Sequence, residues 1–156
     1  MNELIARALK LTRFVDQLQP VLLLAARLYV SSVFIKSGLV KISDWGGTLA
    51  LFRDEYKVPL LPPDVAAYVG AFGELVFPVL IVLGLMGRFG AAGLFVVNAM
   101  AVISYPQLWG FDCPAAINSH FWWGSILMAL VVFGPGQISI DALMLRRLGL
   151  ARPAIA

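Results

Sequence analysis

Three charged side chains interrupt stretches that are otherwise apolar: Arg27, Lys36 and Glu74, with the amide Asn98 a fourth polar group in the same setting. A charge at the centre of a membrane-spanning helix costs about 2.5–3.5 kcal/mol on insertion scales. Side chains that expensive face a bundle interior and find partners. An acid and a cation held there can carry a proton or orient a quinone headgroup or small polar substrate; equally, they can do no more than lock helices together. At about 1.5 Å per residue from the cytoplasmic ends, Arg27 lies about 9 Å deep, Asn98 about 15 Å, Glu74 about 18 Å and Lys36 about 22 Å. At about 100° per residue, Arg27, Ser31, Phe34, Gly38 and Lys41 share one face of the first helix, and Lys36 lies nearly opposite. That stripe of small and polar residues suits helix contact, so the sequence predicts an Arg27–Glu74 pair, with Lys36 snorkelling outward. A second constellation, Tyr68, Tyr105 and His120, with Lys36, could line an outer pocket for a quinone. His120 is the one histidine and Cys113 the one cysteine. An interfacial role suits that histidine, and the lone thiol excludes an internal disulfide and a multi-thiolate metal site. No metal site is expected.

These residues need helices to position them, and the composition says what surrounds those helices. Of 156 residues, 60% are hydrophobic and 13% charged, where a soluble domain carries about 25% charged. A chain this small keeps most residues near its surface, so much of that surface must meet lipid. Residues 1–19 read as an amphipathic helix lying in the membrane interface, with Leu4, Ala8, Leu11, Val15 and Leu18 in one stripe. Residues 20–135 hold four apolar segments, at about 21–40, 64–86, 88–106 and 115–134, each near the 20 residues that cross a ~30 Å hydrocarbon layer. The fold class expected is an all-α, four-transmembrane-helix bundle. Gly84, Gly87 and Gly90 supply a tight hairpin between the second and third spans. The loop between the first two spans carries a short interfacial helix at Thr48–Tyr56, ended by Pro59, Pro62 and Pro63. Asp112 is a candidate N-cap for the fourth span, ahead of Pro114. Residues 136–156 form an amphipathic tail, in which Ser139 caps a short helix with Asp141 in its first turn.

Basic residues set the orientation. Arg7, Lys10, Arg13, Arg88, Arg146, Arg147 and Arg152 fall on one side, and only Lys41, Arg53 and Lys57 on the other. Both termini are therefore expected in the cytoplasm. The partners expected of a basic chain of this kind are anionic lipid headgroups rather than nucleic acid.

The chain resembles the DoxX family of small bacterial membrane proteins. Arg27, Gly38 and Lys41 stand at the family's R…G…K spacing. Gly70-Ala71-Phe72-Gly73-Glu74, with Gly84-Leu85 and Arg88, is similar to its glycine–glutamate helix and turn. Gly134-Pro135-Gly136-Gln137-Ile138-Ser139-Ile140-Asp141 resembles its GPGxxSxD closure. Ser37 stands where the family often has His, and Gln137 where Arg is common. The resemblance implies a multi-pass protein of the bacterial inner membrane. It further implies, for some relatives, thiosulfate–quinone oxidoreduction or membrane assemblies that manage oxidative stress. The sequence holds no haem-ligand pair, iron–sulfur cysteines or nucleotide motif. The expectation is thus an accessory membrane subunit of a quinone-linked redox complex, with quinone rather than an intrinsic cofactor, and with a partner subunit or a second copy. The alternatives are a scaffold or assembly factor and a small oligomeric transporter.

Overall fold

The computed structural model describes residues 2–110 and 115–150, with side chains ahead of Val15 described only at Glu3 and Thr12. Asp112, Cys113, Pro114 and Arg152, and the side chains of Leu4, Arg7, Ala8, Lys10, Leu11 and Arg13, lie outside the described residues. The described helices are α1 (Asn2–Ser43), α2 (Trp45–Asp54), α3 (Pro63–Leu83), α4 (Gly87–Ser104), α5 (Ala115–Phe133) and α6 (Ile140–Arg147). No strand occurs among the described residues.

Four helical stretches are long and apolar enough to cross a bilayer: Val15–Ser43, Pro63–Leu83, Gly87–Ser104 and Ala115–Phe133. An even number of crossings leaves the first and last helices on the same side. The interfacial helix expected at residues 1–19 is not separate from the first span: α1 runs through Pro20 as one helix. A proline removes one backbone donor, and the apolar turn that follows propagates the helix past that single defect. At about 1.5 Å per residue, α1 is about twice as long as the hydrocarbon layer is thick, so its first half extends beyond that layer.

The main core lies where α1, α3, α4 and α5 meet, around Val30, Phe34, Ile81, Leu94, Leu127 and Leu130. A second apolar cluster, Phe52 with Ala66 and Ala67, holds α2 against the start of α3. The interhelix loop folds as the sequence suggests but three residues earlier, because Asp44 caps α2, its carboxylate accepting from the Gly47 N–H at 2.9 Å. The α3–α4 hairpin turns at Gly84 (φ 64°) and Met86 (φ 49°), both left-handed. Gly87 and Gly90 lie inside α4, where they admit close neighbours rather than a turn: a Cβ on Gly87 would meet Pro135 at 2.7 Å and one on Gly90 would meet Leu80 at 3.1 Å. Ser139 caps α6 as expected, accepting from the Ala142 N–H at 3.1 Å.

Candidate functional site

Two polar centres form along the stripe of α1 that carries Arg27 and Lys41. The first lies at the end of the bundle where the α3–α4 hairpin turns. Arg27, only 1% exposed, points at the end of α3. Its guanidinium donates to the carbonyls of Ile81 (2.6 Å) and Val82 (2.6 Å), and to those of Pro135 (2.8 Å) and Ile138 (2.6 Å) in the turn after α5. Ile81 and Val82 lie in the last turn of α3, where carbonyls lack regular intrahelical donors and the helix dipole favours a cation. Asp141 closes the same region from α6. Its carboxylate accepts from the N–H groups of Met86 (2.8 Å) and Gly87 (2.9 Å), and its own N–H donates to Gly84 O at 2.9 Å. The acid thus caps α4 from across the fold, which stabilises the left-handed Met86 at its start. The Gly134–Asp141 closure, Arg27 and Gly84 form one clamp.

This arrangement corrects the Arg27–Glu74 pair. Glu74 is instead bound by Lys41, whose Nζ donates to Oε1 at 2.9 Å and to Oε2 at 2.7 Å. The physical reason is length and lean. Helix α1 continues to Ser43, two residues past Lys41. Side chains lean toward the N-terminus of their own helix, so on antiparallel helices Lys41 leans inward and Glu74 outward, and they meet. Gly38 permits the approach: a Cβ there would lie 2.8 Å from Leu75 and 3.2 Å from the Glu74 Cβ. Lys41 Nζ makes its third bond to Ser37 Oγ at 2.9 Å.

The Lys41–Glu74 pair floors a cavity of about 130 Å³, on the side of the bundle away from the termini. Its walls are apolar, and the exposed Val69 of α3 and Val96 of α4 stand at its rim, where lipid would reach it. The roof is α2 and the segment after it. Phe52, Tyr56 and Tyr105 stack in series, with centroids 4.7 and 5.0 Å apart. Tyr105 Oη donates to Glu55 at 3.0 Å, and Lys57 N donates to Ser104 O at 2.7 Å. Burial, and then the charge of Glu74, push the Tyr56 phenol up to about 12, so it stays protonated. Ser104 closes the far wall. Its hydroxyl is fully buried and, alone among the buried side-chain polar atoms described, has no hydrogen-bond partner.

The remaining expected site residues separate. Lys36 is exposed and belongs to no buried polar site, because it lies on the face of α1 opposite the stripe. Asn98 is buried, but pairs with His120: its Nδ2 donates to His120 O at 3.0 Å, and its Oδ1 lies 2.9 Å from His120 Nδ1. That contact sets Nδ1 as the protonated ring nitrogen, and the ring stands edge-on to Trp123 at 4.9 Å. The outer pocket of Tyr68, Tyr105 and His120 does not form. Tyr68 is 62% exposed and lies 4.6 Å from the Trp45 ring, Tyr105 joins the roof stack, and His120 belongs to the α4–α5 contact. Among the described residues, no three His, Cys, Asp or Glu side chains gather into a metal-binding group. Sequence reasoning passed over Lys41, Tyr56 and Ser104. Lys41 had a signal, since it shares the Arg27 stripe; Tyr56 and Ser104 had none, being a loop aromatic and a helix-end serine.

Fold and site define a four-span integral membrane protein with a polar-floored cavity among apolar helices. The chain matches the DoxX family over residues 22–106 and belongs to that family. It is 32% identical over 130 residues to "Inner membrane protein YphA" of Escherichia coli (strain K12), covering 79% of this chain and 90% of the relative. It is also 30% identical over 127 residues to an "Uncharacterized protein" of Haemophilus influenzae, covering 78% of this chain and 82% of that protein. No solved structure matches. The protein resides in the bacterial inner membrane. The family match ends before Gly134–Asp141, yet Arg27 and Gly84, which lie within it, bond directly to that segment.

Proposed function

We propose that this protein is the membrane subunit of a quinone-linked redox assembly and that the Lys41–Glu74 cavity receives the quinone head. One observation carries the reading: a cavity with apolar walls and a lipid-facing rim ends on an ion pair and an unpartnered hydroxyl. A membrane quinone has a polar ring and an apolar tail, and it reaches its protein through the bilayer. A site for it is concave, mostly apolar and fitted with a few polar groups. Quinone when bound supplies two-electron, two-proton chemistry; the chain's residues hold the ring, exclude water and keep hydrogen-bonding groups in place. The groups present fit such a head, since Ser104 offers a hydroxyl to a ring oxygen and the Lys41–Glu74 pair a polar floor, beneath the aromatic roof of Phe52 and Tyr56.

A scaffold that binds partner helices would use open small-residue faces, and the glycines of α3 and α4 are packed within this chain instead. A Cβ on Gly73 would meet Val97 at 2.6 Å, one on Gly93 would meet Phe77 at 2.5 Å, and one on Gly70 would meet Phe52 at 3.4 Å. On this reading electrons come from or go to a partner subunit, since the sequence carries no haem-ligand pair, iron–sulfur cysteines or nucleotide motif of its own. The test is extraction of lipophilic cofactors from protein purified in mild detergent. Quinone is expected at near-stoichiometric amounts in the wild type and at a small fraction of that in Glu74→Gln. A wild type that retains no quinone, and takes up none when it is added, overturns the reading.

A further inference from the structure

The hydrogen bonds already made around the cavity define what is left for a ligand. An ammonium has three N–H donors. Lys41 directs them to Ser37 Oγ, Glu74 Oε1 and Glu74 Oε2, so none remains. Each carboxylate oxygen of Glu74 accepts once from Lys41 and has a second lone-pair direction open. Ser104 has its hydroxyl wholly unengaged and buried. A buried polar group without a partner costs stability comparable to a lost hydrogen bond, and Ser104 Oγ carries that cost until something binds. Glu74 therefore has acceptor capacity left over, and Ser104, one of the residues that line the cavity, has a hydroxyl with no acceptor.

A quinone ring brings acceptors only. Its reduced form, the quinol, brings hydroxyls that both donate and accept. A quinone carbonyl set against the Glu74 carboxylate would place two acceptors together, whereas a quinol O–H supplies a charge-assisted bond there. Building on the quinone-site reading, we infer that the cavity is selective for the quinol over the quinone, with Glu74 accepting from a quinol hydroxyl and Ser104 donating to a ring oxygen. The protonated Tyr56 phenol forms part of the apolar roof over that ring, and its stack with Phe52 and Tyr105 keeps it in place.

The experiment uses the full-length protein in nanodiscs, with decylubiquinone and decylubiquinol as probes and equilibrium binding measured for each. The quinol is expected to bind at least about tenfold more tightly. Selective binding of the reduced form raises the midpoint potential of the bound couple, and tenfold corresponds to about 30 mV for two electrons. Ser104→Ala is expected to weaken the binding of both forms about fivefold, while leaving the unliganded protein as stable as wild type or more so, because it removes an unsatisfied hydroxyl. Glu74→Asp is expected to retain the preference at reduced affinity, and Glu74→Gln to abolish it. If the quinone binds as tightly as the quinol or more tightly, or if Ser104→Ala binds as wild type does, the inference is overturned while the quinone-site reading stands. If neither form binds wild type, both fail together.

Discussion

At the hairpin end of the bundle, Arg27 gives its guanidinium hydrogens to four carbonyls from two segments, and Asp141 caps a helix from which it is separated by a whole span. At the other end, Lys41 and Glu74 meet beside a cavity, and the hydroxyl of Ser104 has no partner. Both regions place a cation of α1 against α3. The first is closed, with its donors used on backbone carbonyls at the end of α3 and in the turn after α5. The second is open: a cavity adjoins the pair and one buried hydroxyl is left without a partner. The difference teaches that an intramembrane charge is not by itself a functional site. What marks a site is a charged group whose surroundings remain incomplete.

Substitution at Arg27 should break the comparison most sharply. Arg27→Met removes the charged donor shared by four carbonyls, and each hydrogen bond to a charged group contributes about 1.5–3 kcal/mol. The folded protein is expected to be lost, as seen by aggregation on size-exclusion chromatography in detergent. Arg27→Lys is expected not to rescue it, because an ammonium lacks the planar fork that reaches both segments. Recovery of a stable Arg27→Met protein would remove the structural reading of the clamp.

The outer pair should behave differently. Lys41→Met or Glu74→Met alone leaves a charge without its partner in the bundle, at a cost of about 3–5 kcal/mol. The double variant Lys41→Met/Glu74→Met removes both charges and is expected to lie within about 1 kcal/mol of wild type. Thermal unfolding in detergent reads both. A double variant as unstable as the singles would make the pair a brace like Arg27 and erase the distinction between the two ends.

The smallest effect concerns the roof. The Tyr56 phenol is raised from its ordinary value near 10 to about 12 by burial and by Glu74. Its neutral form is favoured in the folded state, so this contribution to stability is full below pH 10 and is lost as pH rises from about 10 through 12. Melting temperature is expected to fall more steeply over that window for wild type than for Tyr56→Phe, which retains the stacked ring but has no proton to lose. Equal slopes would show that the cavity does not bias Tyr56.

Much of this was legible in the sequence. The four spans, the surface helix after the first span, the Ser139 cap and the stripe of α1 that faces α3 all follow from local hydropathy, proline and glycine placement and helical period. The helix period also pointed to the face on which the partner of Glu74 would lie. It named the wrong cation there, because a span ended at residue 40 leaves Lys41 in the loop, and one more helical turn brings its amine back into the bundle. The guanidinium of Arg27 could not be assigned from spacing, since its acceptors are carbonyls that every residue type possesses. The outer pocket failed for a related reason: Tyr68, Tyr105 and His120 were placed by depth alone, and depth does not fix azimuth on three different segments.

By itself, the sequence determined the solvent and the period. Its apolar runs demand lipid, and charges at one helical spacing demand a common face. Only the tertiary structure decided which groups are satisfied. Hydrogen-bond completion depends on the juxtaposition of segments distant in the chain, such as Arg27 with Pro135 or Lys57 with Ser104. A linear pattern carries no record of where a carbonyl finds its donor or where a hydroxyl is left without one.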